Sequence, residues 1–107
     1  MISVEFLVDS QGTILGFQIS GHSGFAENGN DIVCAAVSSA AFMAANTITD
    51  ILKIDAETFV DNVGKMFFKI KNENFISCKD ILLGFKLHMI SLEEMYPENI
   101  TVNYLEV

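Results

Sequence analysis

Alternating apolar residues near both ends of the chain, two stretches of helical periodicity, and turn residues at the junctions predict a small α+β domain. The order of elements is ββ-α-ββ-α-β, which gives a mixed sheet with two packed helices. The 107 residues are the size of one domain, 1–107. Half of them are apolar and mean hydropathy is +0.39, a composition that builds a core and excludes intrinsic disorder.

Each element follows from its own pattern. Ile2, Val4, Phe6 and Val8 alternate with Ser3, Glu5 and Asp9, the period of a half-buried strand. Asp9-Ser10-Gln11-Gly12 reads as a turn, and Leu15, Phe17 and Ile19 continue as the second strand of a hairpin. From Gly21 to Asp31 the chain carries Gly21, Gly24, Gly29, Asn28 and Asn30, which predicts a mobile loop that gates whatever it borders. Asp31 then caps a helix on which Cys34, Val37, Ser38, Ala41, Ala45, Ile48 and Leu52 recur at helical spacing.

Six alanines between Ala35 and Ala45 let that helix approach a neighbour closely. Ile32 to Thr49 carries no charge, the length of a membrane span, but Ser38, Ser39, Asn46, Thr47 and Thr49 favour a buried helix of a soluble protein. No membrane association is expected. Phe59 to Val63 and Met66 to Lys71, joined through Asn62–Lys65, predict a second hairpin. Cys78, Ile81, Leu82, Phe85, Met89, Leu92 and Tyr96 mark a second helix ended by Pro97, and Ile100, Val102 and Tyr104 a last strand.

Six Lys and Arg against 14 Asp and Glu leave a net charge of −8. Such an anion repels phosphates and attracts basic peptides, so no direct nucleic-acid partner is expected. Two cysteines cannot make a disulfide scaffold. Met1-Ile2-Ser3-Val4-Glu5 also lacks the positive charge that opens a secretory signal. The expected location is the cytoplasm.

His22 and Cys34 are the pair with chemical content. His22 lies among Gly21, Ser23 and Gly24, small neighbours that leave room for a substrate backbone. Cys34 follows Asp31 by three residues, in the first turn of the predicted helix, where unpaired N–H groups and the helix dipole favour a thiolate. Spacing alone leaves alternatives open: a small core cysteine with a solvated loop histidine, or a nucleophile with its base. Cys34, Cys78, His22 and His88 lack the spacing of a structural zinc site, and Gly21-x-x-Gly24 lacks the rest of a phosphate loop. No metal and no cofactor is expected. Glu93-Glu94 reads as a solvated face, and Cys78 and His88 as ordinary helix residues.

The run Gly21-His22-Ser23-Gly24, followed by Gly29-Asn30-Asp31-Ile32-Val33-Cys34-Ala35-Ala36-Val37-Ser38, resembles the signature of the ribosomal-processing cysteine protease family, Prp. The family's pattern is Gly-His, a short loop, then Gly-x-Asp-Ile-Val-Cys-Ala-x-x-Ser. Tyr96-Pro97-Glu98-Asn99-Ile100 extends the similarity towards the end of the chain. Ser23 departs from the family's usual alanine, small for small. The resemblance implies a bacterial, cytosolic, homodimeric endopeptidase of α+β fold. It would remove the N-terminal segment of large-subunit ribosomal protein twenty-seven, cutting after a pair of phenylalanines. The family's catalytic residues fall on His22 and Cys34, and Asp31 and Ser38 match positions that support the site. A non-catalytic ribosomal-peptide-binding module and a redox-sensing thiol protein are the competing readings.

Overall fold

The structure, a computed structural model, describes residues 1–21, 30–61 and 64–107, the side chains of Asn30 and Asp31 excepted. β1 (Ile2–Val8) and β2 (Ile14–Ser20) form the first hairpin. Its turn is held by Asp9, whose Oδ1 accepts the backbone N–H groups of Gln11 and Thr13, both at 2.9 Å. α1 (Asn30–Asn46) comes next and unwinds through one π-helical turn at Thr47–Ile51. β3 (Glu57–Val60) and β4 (Met66–Lys69) make the second hairpin, shorter than the sequence predicts. A 3₁₀ turn at Asn72–Asn74 leads into α2 (Phe75–Met95), which ends two residues before Pro97, and β5 (Ile100–Glu106) closes the order.

The sheet runs β3-β4-β2-β1-β5. Only the β1–β5 pair is parallel, so the sheet is mixed as expected. Register decides its faces. Val4 pairs with Ile19 and Val102, and Phe17 with Phe6 and Phe68, and these side chains share one face. Both helices pack there: Val33, Val37, Ala41 and Ala44 from α1, with Ile48 from the π turn that follows, and Cys78, Leu82, Phe85, Met89 and Leu92 from α2. Phe85 lies 4.5 Å from Phe17 and 5.6 Å from Phe6, ring centre to ring centre, and Phe17 stacks on Phe68 at 5.4 Å. The opposite face is mixed: Leu7 is fully buried there, and Gln18 Nε2 donates to Glu5 Oε1 at 2.7 Å.

Three expectations change. α1 starts at Asn30, one residue before the predicted cap, so Asp31 belongs to its first turn. Its core stripe runs through Val33, Val37, Ala41, Ala44 and Ala45, while Leu52, predicted to continue that stripe, is exposed. The alanines give the sequence pattern little contrast, and the π turn rotates Leu52 away from the stripe. Finally, Ile32–Ile51 is long and apolar enough to cross a membrane, and about one third of it is buried inside the fold. It is a core helix on one side only; Ile32, Phe42 and Met43 face outward.

β5 corrects the reading of Glu93 as simply solvated. Its Oε2 accepts the Val102 N–H at 2.9 Å, tying the last turn of α2 to the outer edge of the sheet.

Candidate active site

Cys34 is the fifth residue of α1, not a first-turn residue as the sequence predicts, because the helix begins earlier. The N–H groups of the four residues before it have no partner within the helix. Helical Cα–Cβ bonds tilt towards the N-terminus, so the half-buried thiol still lies over that first turn. Ser38 sits one turn later on the same stripe, also half-buried. A thiol so placed can attack a carbonyl while N–H groups at the positive helix end stabilise the developing oxyanion.

His22, Gly24 and Gly29 lie outside the described residues, as does the side chain of Asp31. Gly21, which delivers the chain to His22, is described. It leaves β2 at φ 89°, a left-handed conformation natural to glycine. A Cβ on it would collide with the Met1 carbonyl oxygen. Sterics therefore fix where the loop departs from the sheet.

Cys78 is the opposite case. It is fully buried on the core face of α2, and burial raises its thiol pKa above the ordinary value. His88 is exposed and lines a groove between the helices with Ala36, Ala40, Met43, Gly84 and Phe85. Among the described residues no three His, Cys, Asp or Glu side chains gather as metal ligands would. Sequence reasoning missed a cavity of about 410 Å³ between α1 and the second hairpin, lined by Phe42, Ala45, Ile54, Thr58, Val60 and Met66 among others. Its walls come from four separate segments, and no local pattern announces it.

Residues 1–101 match the family cysteine protease Prp. The ribosomal processing cysteine protease Prp of Staphylococcus aureus is 30% identical over 105 residues, covering 97% of this chain and 99% of that protein. The crystal structure of S. aureus Prp in complex with a substrate peptide matches with a TM-score of 0.88 at 28% identity, over 98% of this chain and 100% of that one. The same protease with a covalently linked product peptide matches at 0.84 and 29%, with the same coverage. The fold and these matches together define a cysteine protease, a hydrolase of peptide bonds. The chain belongs to the cysteine protease Prp family.

Proposed function

We propose that residues 1–107 form one cysteine-protease domain that trims the N-terminal extension of large-subunit ribosomal protein twenty-seven, cutting after an aromatic pair. The observation that carries this reading is the half-buried Cys34 thiol at the start of α1, in a chain whose family relatives are named for ribosomal processing. Cys34 attacks the scissile carbonyl as thiolate. His22 takes the thiol proton, then gives it to the leaving amine, and water releases the acyl group in the second half-reaction. Asp31 and Ser38 support this pair from the same helix. The net charge of −8 suits a basic ribosomal substrate.

The enzyme works in the cytoplasm as a homodimer. The outer sides of the helices, where Ile32, Met43, Ile76 and Leu87 are 56–80% exposed, support association. Incubation with the precursor ribosomal protein, read by mass spectrometry, should reveal one new N-terminus immediately after the aromatic pair. A Cys34→Ala variant that processes as well as wild type would overturn the reading in favour of a binding module.

A further inference from the structure

β4 holds the one place in the chain where two aromatic residues are adjacent, Phe67-Phe68. Around that pair the charge of the chain is reversed. Lys65, Lys69 and Lys71 are three of its six basic residues, and the nearest acids are Asp61 and Glu73. Three lysines and no acid between those two positions make a local charge of +3 in a protein of −8. An aromatic pair in a basic segment is the chemistry of the proposed substrate, carried here by the protease itself. A second copy, with its net negative charge, attracts such a segment.

Folding shuts this segment away. β4 is an inner strand: Phe68 pairs with Phe17 of β2 and Thr58 of β3, and Lys69 pairs with Gly16 and Glu57. Neither side of its backbone is left for another protein to bind. Phe68 is fully buried and stacks on Phe17 at 5.4 Å. Its carbonyl oxygen lies so close to Gly16 that a Cβ there would collide with it, which bars a nucleophile from the Phe68 carbonyl carbon. β3, which covers the outer side, has only four residues, all exposed, and borders no other described strand. Edge elements with little buried surface open at lower free energy than the core. When the hairpin leaves β2, Met66 goes with it, and α1 loses a wall of the cavity lined by Phe42 and Ala45. An opened copy therefore loses support for the helix that carries its own Cys34, and the cut has to come from another copy.

We propose that this protein is its own substrate when the second hairpin is open: a folded copy cuts an opened copy between Phe68 and Lys69. This rests on the peptidase reading, with Cys34 as nucleophile and cleavage after an aromatic pair. The Cys34 thiolate adds to the Phe68 carbonyl carbon, the peptide C–N bond breaks, and the Lys69 amine leaves with a proton from His22. Water then cleaves the thioester, leaving a Phe68 carboxylate and the free Cys34 thiol. The products, 1–68 and 69–107, part β1 and β2 from α2, so neither keeps the contacts of Phe85 with Phe6 and Phe17. The supply of active enzyme is thereby tied to closure of the sheet.

The test uses Cys34→Ala protein as substrate and a trace of wild type as enzyme, with the fragments read by mass spectrometry. Folded Cys34→Ala should stay whole. Adding Phe85→Ala to the substrate opens the fold, whether or not a folded fraction survives, and should raise cutting at least about 100-fold. The cut should fall after Phe68. In that opened background Phe67→Ala should slow it at least about 10-fold. A synthetic peptide of residues 64–73 should be cut at the same bond. Folded substrate cut as fast as the opened chain would overturn the proposal. So would an opened chain left whole, or cut at scattered bonds, by enzyme that processes the ribosomal precursor. If the precursor and the opened chain are both left whole, the peptidase reading itself has failed, and the proposal falls with it.

Discussion

The β1–β2–α2 side of the molecule and the α1–β3 side are finished differently. On the first side Phe6, Phe17 and Phe85 interlock, Glu93 occupies the outer edge, and Lys86 lies 5.1 Å over the Tyr104 ring. On the second side an alanine-rich helix leaves Cys34 and Ser38 half-buried, and the short strand β3 keeps an open edge. The two cysteines make the contrast within one residue type. Cys78 is sealed in the packed side and its thiol is held protonated by burial, while Cys34 opens on the loose side. The aromatic rings meet on the packed side, and the proposed nucleophile stands where packing is left incomplete.

The largest effect should separate the two thiols. Cys34→Ala should lower peptide cleavage on the order of 10⁴-fold or more while leaving the thermal midpoint nearly unchanged. Cys78→Ala should keep cleavage and lose stability. In alkylation with iodoacetamide, peptide mapping should find Cys34 modified long before Cys78. Equal modification would erase the contrast.

Next in size, Phe85→Ala should cost about 3–5 kcal/mol in urea unfolding, because it removes a ring packed against two others. Any surviving folded fraction should keep its intrinsic cleavage rate per molecule. A variant as stable as wild type would show that the aromatic cluster is not the anchor.

Gly21→Ala should cost about 1–3 kcal/mol, through its positive φ and the Met1 carbonyl. Because Gly21 precedes His22, it should also lower kcat more than stability alone explains. Wild-type kcat at full folding would mean that this departure from β2 does not position the histidine.

The smallest effect is a pH dependence. The folded-state pKa of Cys78 is raised, so its contribution is fully present below the unfolded thiol value of about 8.5 and is lost as pH rises through the higher folded value. Wild type should therefore lose stability above that pH more steeply than Cys78→Ala. Parallel curves in chemical unfolding would contradict it.

Much of the fold is legible locally. Period-two runs place the strands, period-3.6 runs the helices, and Pro97 the stop of α2. The run from Gly21 to Ser38 carries the candidate site and the family. The features that escape depend on distance along the chain or on side chains without contrast. Alanine at Ala41, Ala44 and Ala45 hides which side of α1 faces the core. An aspartate near a helix start fits a cap or a first turn equally, so the sequence pattern puts Asp31 two positions out. Glu93 finds Val102 nine residues later, and the cavity draws its walls from α1, the Ile54–Ala56 segment and both strands of the second hairpin.

The central claim is the proposal that Cys34 and His22 act as one catalytic unit. Its most direct test is kcat/KM on a single peptide for wild type, Cys34→Ala, His22→Ala and the double variant. If thiolate and imidazole act together, each single variant loses nearly as much as the double. Losses that multiply, or a His22→Ala enzyme that cleaves at the wild-type rate, would contradict the account.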